Sequence, residues 1–322
     1  MKIRIGVVGY GNIGKGVIKA VKAASDMELV AVFTRRDLGT QSGVGNVPLR
    51  SAIEAESMTD DIDVMLLCGG SATDLPEQGP YFASLFNTVD SYDNHANIPG
   101  YMKSVDDAAK NKTAIISTGW DPGPFSMMRA MFESVLPDGS SYTFYGRGVS
   151  QGHSNAIRKI DGVKDAVQYT VPITEAVNAV RSGIMPELGA RERMMRECYV
   201  VAEADVDKEK IEQTIKTMPH YFADYDTSVT FIDENELNEK HGKMPHGGMV
   251  LRSGNTGENN HIMEFSLKLE SNPEFTASIM VAYARAAYRL SKEGNYGAKT
   301  VLDIPLTYLS EKDRTTLIKE LL

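Results

Sequence analysis

The chain has little cysteine, no long apolar run and no concentration of positive charge. Its 322 residues include two cysteines, Cys68 and Cys198, without metal-ligand spacing. We therefore expect buried free thiols in a reducing compartment, no metal site and a cytoplasmic location. No stretch approaches the ~20 apolar residues that a membrane helix requires, and the N-terminus lacks the pattern of a secretion signal.

Basic residues are outnumbered, since 34 Lys and Arg stand against 43 Asp and Glu, and the formal net charge is -9. No stripe rich in Lys or Arg is present, which argues against nucleic-acid and anionic-membrane partners. The 42% hydrophobic and 24% charged residues are ordinary for a globular enzyme. The length allows two domains, so we expect a two-domain protein that binds a small molecule.

A glycine-rich turn lies between a β-branched run over 3–8 and a segment with apolar residues at helical spacing. A second apolar strand over 29–33 completes a βαβ unit of about 30 residues. Gly9 would make the tight turn, Gly11 would admit a pyrophosphate, and Gly14 would allow close packing of helix and strand. The alternative is a glycine-rich turn without a nucleotide. The predicted cofactor turn comprises Gly9, Tyr10, Gly11, Asn12, Ile13 and Gly14.

Two arginines follow the second strand, where an NAD-binding protein would carry an acid for the ribose 2′-hydroxyl. The segment reads Thr34-Arg35-Arg36, and Asp37 lies one step further along. Guanidinium forks match the geometry of a phosphate dianion. The sequence therefore predicts NADP as the cofactor, although a solvated basic pair at a strand end would look the same.

Strands and helices continue to alternate, with strands predicted over 63–68, 87–91 and 113–117. This order predicts an α/β fold with a Rossmann-type doubly wound parallel sheet, whose ligands lie beyond the carboxyl ends of the strands. The polar and glycine-rich segments at those ends are 9–14, 34–36, 68–73, 90–94 and 119–123.

The pattern changes after about residue 120, where most segments read as strands separated by helices such as 206–218. It predicts a second, α+β substrate and dimerisation domain on a mixed or antiparallel sheet, whose open face would be the dimer interface. A long helix over 275–290 would return to the first domain. The predicted domains are 1–118 with 273–322, and 119–272, with closure about hinges near 119 and 272.

Nine segments, spread over essentially the whole chain, resemble the meso-diaminopimelate dehydrogenases. They are 8–12, 33–36, 70–74, 90–95, 117–123, 150–154, 166–170, 244–248 and 272–273. The resemblance implies a homodimeric, NADP-dependent enzyme of lysine biosynthesis. Its reaction would be the reversible oxidative deamination of the D-centre of meso-2,6-diaminopimelate to L-2-amino-6-oxopimelate, which cyclises to tetrahydrodipicolinate, and ammonia.

The resemblance and the strand ends together propose the site residues. Further cofactor positions are Cys68, Gly69, Gly70, Ser71, Ala72, Thr73, Ser91 and Tyr92. The substrate positions are Asp93, Trp120, Asp121, Tyr145, Gln151, Gly152, Thr170, Arg196, His246 and Asn272. Asp93 and Asp121 are the candidate acid–base residues, unless positioning alone supplies the rate. Each of these two aspartates could instead be a turn residue. Without the resemblance to the family, Arg196 and His246 would be interpreted as structural residues. His153 has no assigned role.

One position departs from the family, because Tyr145 stands where family members carry Trp, which puts substrate breadth in doubt. Two other enzyme types compete with this interpretation. A dihydrodipicolinate reductase would bring a motif rich in His with a Lys, and a homoserine dehydrogenase would bring a catalytic Lys; neither is found. A third alternative is a non-catalytic NADP sensor. It would need no cluster of hydrogen-bond donors in residues 150–272, so the donors proposed there argue against it.

Overall fold

The computed structural model describes residues 2–35, 43–44 and 47–322. They form two units, of which the first is Met1–Met127 with Pro273–Leu322 and the second is Met128–Asn272. The domain limits predicted from the sequence, 1–118 with 273–322 and 119–272, remain a prediction. Arg36 and Asp37 lie outside the described residues.

The strands are numbered in chain order. They are β1 (Ile3–Val8), β2 (Met27–Thr34), β3 (Gly43–Val44), β4 (Val47–Ser51), β5 (Val64–Leu67), β6 (Asn87–Asp90), β7 (Thr113–Ile115), β8 (Gly139–Tyr145), β9 (Gly148–Val149), β10 (Val163–Pro172), β11 (Met194–Ala202), β12 (Thr227–Phe231), β13 (His246–Thr256), β14 (Asn259–Leu269) and β15 (Gly297–Lys299).

The helices are numbered in the same way. They are α1 (Asn12–Ala23), α2 (Leu75–Leu85), α3 (Ile98–Ala108), α4 (Pro124–Val135), α5 (Gln151–Arg158), α6 (Thr174–Arg181), α7 (Ala190–Arg193), α8 (Lys208–Lys216), α9 (Glu234–His241), α10 (Asn272–Lys292) and α11 (Arg314–Leu321). None of these described helices is long and apolar enough to span a membrane.

The first unit contains a sheet in the order β15-β7-β6-β5-β1-β2-β4-β3. Every neighbouring pair is parallel except β3 with β4, which is antiparallel. β1 therefore lies inside the sheet, which is why its sequence is apolar on both faces. This arrangement confirms the predicted doubly wound fold and places the carboxyl ends of β1, β2, β5, β6 and β7 along one edge.

The two faces of this sheet bury separate hydrophobic clusters, because successive strand residues point to opposite sides. On one face Ile5 and Val7 pack with α1 and α10. On the other face Val8, Met65 and Leu67 pack with α2 and α3. Helices on both sides hold the strand ends in place and leave the connecting loops to form a site.

The second unit corrects one expectation, since it contains two sheets where one was predicted. The first has the order β12-β11-β10-β9, and the second has the order β14-β13-β8. The first is mixed, with β11 and β12 parallel, and the second is antiparallel throughout. The strand pattern alone could not separate them, because period-2 alternation does not state which strands pair.

Candidate active site

The glycine-rich turn after β1 has a geometry that depends on its glycines. Gly9 has φ +102°, and its N–H donates to the Phe33 carbonyl at 2.8 Å. A Cβ on Gly14 would lie 2.0 Å from the Gly9 oxygen, whereas a Cβ on Gly11 would have no heavy atom within 4 Å. The turn is therefore closed at Gly14 and open at Gly11, as a phosphate-binding turn requires.

Helix α1 begins directly at this turn. Its N-cap is Gly11, which provides no side-chain cap, and its first turn holds no acidic residue. The positive end of the helix dipole can therefore favour an anion. Tyr10 and Ile13 are partly buried against the core beneath the turn. Asn12 is the first residue of the helix.

Arg35 follows the buried Thr34 at the carboxyl end of β2. Its side chain is 63% exposed and pairs with Asp74, which sequence reasoning did not assign to the site. The Asp74 carboxylate also accepts the Gly70 N–H at 2.8 Å. That hydrogen bond and the charge of Arg35 lower the pKa of Asp74, so the carboxylate is held ionised.

The loop between β5 and α2 starts at the buried Cys68, whose N–H donates to the Val8 carbonyl at 2.7 Å. Burial raises the pKa of the Cys68 thiol, which makes it a poor nucleophile. The Ser71 hydroxyl accepts the N–H of Asp93 at 2.9 Å, so this loop and the loop after β6 are hydrogen-bonded to each other. The other predicted cofactor residues here are Gly69, Gly70, Ala72 and Thr73 in the first loop, and Ser91 and Tyr92 in the second.

The predicted substrate residues of the first unit lie at the ends of neighbouring strands. Asp93 is exposed just beyond β6, and Trp120 and Asp121 lie between β7 and α4. Trp120 is buried and packs edge-on against Phe125, with 5.1 Å between ring centroids. The Ser126 hydroxyl donates to Asp121 Oδ1 at 3.4 Å. Two carboxylates and one aromatic wall are thus available for a cationic group.

The second unit holds its own cluster of donors around Arg196, which is 6% exposed. Arg196 on β11 is the register partner of Thr170 on β10, and its Nη1 donates to the Thr170 hydroxyl. Its guanidinium lies 3.8 Å from the ring centroid of Tyr225. Burial lowers the pKa of Arg196. A buried guanidinium that no carboxylate neutralises in the described ion pairs is suited to an anionic ligand.

Gln168 is a further buried residue of this cluster that sequence reasoning missed. It is 0% exposed, and its Nε2 donates to the Thr170 hydroxyl at 3.5 Å. Within the described residues, Oε1 of Gln168 and Nε of Arg196 have no hydrogen-bond partner. Such atoms are costly to bury, so they mark a place where a polar ligand would add bonds.

Gln151 and Gly152 form the exposed first turn of α5, directly after the N-cap Ser150. His153 lies in the same turn, and its Nδ1 is 2.7 Å from the Ser150 hydroxyl. Burial and the charge of Arg196 lower the pKa of His153 to about 4. The ring is therefore neutral at physiological pH, and it supports the turn that presents Gln151.

His246, Tyr145 and Asn272 complete the predicted set. His246 begins β13, and its Nδ1 accepts the Gly247 N–H at 2.8 Å. Burial lowers the pKa of His246, so this ring is also neutral at physiological pH. Tyr145 ends β8 opposite Gly248, and the Asn272 N–H donates to the Met244 carbonyl at 3.0 Å.

Two family models match the chain. One describes the diaminopimelic acid dehydrogenase C-terminal domain and covers residues 119–271. The other describes the N-terminus of dihydrodipicolinate reductase and covers residues 3–66. Together they assign a family domain to residues 119–271 and a segment similar to the N-terminus of dihydrodipicolinate reductase to residues 3–66.

The chain is similar over its whole length to a meso-diaminopimelate D-dehydrogenase of Ureibacillus thermosphaericus. The two are 62% identical over 324 residues, which are 100% of this chain and 99% of that relative. The chain is also similar to two solved structures, and each of these matches covers 100% of this chain and 100% of the other chain. An engineered D-amino acid dehydrogenase bound to NADP+ is 42% identical, with a TM-score of 0.87.

The other structure is a mutant of the meso-dapdh of Clostridium tetani E88 with DAP, which is 56% identical with a TM-score of 0.95. Its substitutions replace, in chain order, a Gln, a Thr, an Arg, an adjacent Pro and His, and an Asn.

Proposed function

The chain belongs to the family of meso-diaminopimelate D-dehydrogenases, and from this membership we infer the reaction that it catalyses. It is an amino-acid dehydrogenase that oxidatively deaminates the D-configured carbon of meso-2,6-diaminopimelate. The products are L-2-amino-6-oxopimelate, which cyclises to tetrahydrodipicolinate, and ammonia, and the reverse reaction is a reductive amination. The observation that carries this conclusion is the 62% identity over the whole chain, and the resemblance to the DAP-containing structure supports it.

We propose that the donor cluster of the second unit binds the end of the substrate that does not react. The substrate carries a carboxylate and an ammonium group at each end, so telling the D-centre from the L-centre requires contacts to both ends. Arg196 supplies the charge for the distal carboxylate, and Thr170 orients its guanidinium. In this chain Gln151, Thr170, Arg196, the adjacent Pro245 and His246, and Asn272 follow the same order as the residue types replaced in the mutant.

At the reacting end, Asp93 and Asp121 are proposed to bind the amino group, with Trp120 as the wall that orients the α-carbon. The ammonium group must lose a proton before the C–H bond breaks, and a water must then attack the imine. Either carboxylate can take that proton directly or through a water. If positioning alone supplied the rate, Asp121→Asn would keep nearly full kcat.

The residues of the first unit fit a nicotinamide dinucleotide, because the turn at Gly9 and Gly14 leaves Gly11 open beside the N-terminus of α1. When bound, the nicotinamide accepts the hydride from the α-carbon. We propose NADP as the specific cofactor, with Arg35 at the 2′-phosphate. The NADP+ in the engineered D-amino acid dehydrogenase supports this choice. Arg36, the second predicted phosphate ligand, lies outside the described residues.

We also propose that the protein is a homodimer that works in the cytoplasm. The first proposal follows from the resemblance to the family, and sedimentation should give twice the 35.3 kDa chain mass. The second follows from Cys68 and Cys198, which are both free and buried, as expected in a reducing compartment.

The test is the absorbance of the reduced cofactor while purified protein meets the separate meso, LL and DD isomers of diaminopimelate. NADP and NAD are compared in parallel. We expect turnover with the meso isomer and NADP, and none with the LL isomer, because it lacks a D-centre. Turnover with the DD isomer as well would locate the loss of selectivity in the distal contacts, with Tyr145 as the first residue to substitute.

Absence of turnover on every isomer would contradict the proposal. If NADPH still bound under those conditions, the result would favour the non-catalytic sensor. If the protein turned over another substrate with NADP, it would favour a different dehydrogenase.

A further inference from the structure

Asp90, the last residue of β6, is a buried carboxylate that neither the cofactor set nor the substrate set includes. It is 1% exposed, and it takes part in none of the ion pairs of the described residues. Burial raises the pKa of Asp90, and the groups that oppose this shift are neutral hydrogen-bond donors. A carboxylate buried without a cation is costly, so its contacts need an explanation.

The contacts of Asp90 reach both loops that carry the candidate acids. Oδ1 accepts the N–H of Tyr92 at 3.0 Å and the N–H of Ser117 at 3.0 Å. The main-chain oxygen of Asp90 accepts both the N–H and the hydroxyl of Thr118, each at 2.8 Å. One residue thus binds the segment that leads to Asp93 and the segment that leads to Asp121.

The segment after β7 needs such support, because Ser117 has φ +58°. A residue with a Cβ rarely adopts this left-handed conformation, which persists only where surrounding contacts enforce it. The hydrogen bond from the Ser117 N–H to Asp90 is one such contact. Ser117 lies three residues before Trp120 and four residues before Asp121.

A third donor fixes the other carboxylate oxygen. The Tyr101 hydroxyl donates to Oδ2 of Asp90 at 2.7 Å, and its ring stacks on Tyr92 with 4.1 Å between centroids. Space for that hydroxyl depends on Gly79 in α2, because a Cβ there would lie 2.0 Å from the Tyr101 oxygen. Tyr101 therefore contacts both Asp90 and Tyr92 and fixes their positions relative to each other.

We propose that Asp90 is a positioning residue for the reaction. Its carboxylate holds the loops after β6 and β7 so that Asp93, Trp120 and Asp121 present a fixed geometry to the reacting amine. This inference rests on the proposed function, which assigns those three residues to the substrate. Asp90 itself is buried and acts through hydrogen bonds to the main chain.

The test compares Asp90→Ala with Asp90→Asn. An Asn can keep the arrangement, since its Oδ1 accepts both N–H groups and its Nδ2 can donate to the Tyr101 oxygen. We expect Asp90→Ala to lower kcat on meso-diaminopimelate about tenfold or more, because small displacements of reacting groups are expensive. We expect Asp90→Asn to remain within about threefold of the unmodified protein, because hydrogen bonds rather than charge fix the loops.

A second readout needs no ligand, because Trp120 is the single tryptophan of the chain. It is buried in the loop that Asp90 holds. We expect its fluorescence emission to shift to longer wavelength in Asp90→Ala and to stay unchanged in Asp90→Asn. Circular dichroism of the variants checks that the rest of the fold is intact.

Tyr101→Phe keeps the test decisive if Asp90→Ala fails to fold. It removes one of the three donors, and we expect kcat to fall about three- to tenfold. Tyr81→Phe is the matched control, since Tyr81 also donates its hydroxyl to a carboxylate, that of Glu56 at 2.6 Å. That bond is exposed, and its loss should leave kcat within about twofold.

Several outcomes would overturn the inference. An unmodified protein without turnover on meso-diaminopimelate would overturn the proposed function, and this inference with it. Normal turnover by the unmodified protein together with a normal kcat in Asp90→Ala or Tyr101→Phe would overturn the inference alone. Equal losses in Asp90→Asn and Asp90→Ala would also contradict it, because they would assign the effect to the charge.

Discussion

At the scale of single residues, Arg196 has the environment of a binding group. It is buried, Thr170 orients it, and its Nε has no partner among the described residues. We predict that Arg196→Lys raises the KM for meso-diaminopimelate about tenfold or more, because a lysine cannot reproduce the planar fork.

The matched control is Arg158→Lys in the same unit, where Arg158 pairs with Asp165 at 2.6 Å on the surface. Steady-state kinetics should show a KM within about twofold for the control. Equal changes in the two variants would remove Arg196 from the substrate site.

His153 should make the stability of the protein depend on pH. Its native pKa of about 4 lies below the ordinary value of about 6.5. Between these values the unfolded state binds the extra proton, so the free energy of unfolding falls as the pH falls from about 6.5 to about 4.

We predict that this loss, up to about 3 kcal/mol, is smaller in His153→Asn. Urea unfolding at pH 7 and pH 4.5 measures it for both proteins. The same pH slope in both would show that His153 does not cause it.

The sequence could predict residues whose chemistry is visible in a local pattern, such as Gly9 and Gly14 after an apolar strand. Asp74, Asp90 and Gln168 were missed for a common reason. Asp74 and Asp90 bind residues distant in the chain, Arg35 and Ser117 respectively. Gln168 joins the cluster at Arg196 only because β10 pairs with β11. For Asp90, the available signal was a carboxylate at the end of a strand that is otherwise buried in the sheet. The position at a strand end does not by itself distinguish a solvated acid from a buried one.

At the scale of elements, the turn between β1 and α1 allows a paired test of two glycines. Gly14→Ala should destabilise the protein, because its Cβ would lie 2.0 Å from the Gly9 oxygen. Gly11→Ala should fold normally, because its Cβ meets no heavy atom within 4 Å, yet it should weaken NADP binding by crowding the pyrophosphate.

Thermal melting and a titration with NADP separate the two effects. A drop in melting temperature for Gly11→Ala, without a loss of affinity, would show that the open side of the turn is not the phosphate site.

The contact between Arg35 after β2 and Asp74 before α2 predicts cofactor selectivity. Arg35→Ala should raise the KM for NADP while leaving the KM for NAD nearly unchanged, because only NADP carries the 2′-phosphate. Asp74→Asn can still accept the Gly70 N–H but removes a negative charge beside the proposed 2′-phosphate site, so it should strengthen NADP binding about two- to fivefold.

Asp107→Asn is the control, since it breaks the exposed pair with Lys103 in the same unit. This variant should change neither the KM for NADP nor the KM for NAD. A parallel rise of both KM values in Arg35→Ala would contradict a phosphate role.

Elements with strong periodicity were predicted from the sequence, including α1, α8 and α10. The short strand β4, which lies next to the edge strand β3, was missed because Pro48 interrupts it. The short β15 joins the opposite edge of the sheet from the far end of the chain, which no local pattern can indicate. Helix α5 was also missed, since it is a short helix of eight residues.

At the scale of the whole molecule, the order of strands and helices predicted the doubly wound fold, because parallel strands with helical crossovers have few alternatives. The second unit was less predictable, since pairing among its seven strands depends on contacts between distant segments. The substrate residues of that unit, including Thr170 and Arg196, were accessible mainly through the resemblance to a family. Composition and spacing would have left Arg196 as a structural arginine.

In the proposed reaction, hydride leaves the D-configured carbon of meso-diaminopimelate. This step is tested most directly with meso-diaminopimelate carrying deuterium at that carbon, oxidised with NADP, and mass spectrometry of the reduced cofactor. A sample labelled at the L-configured carbon is the control. We expect deuterium in the cofactor from the first sample only. Deuterium from the second sample, or from neither, would contradict it.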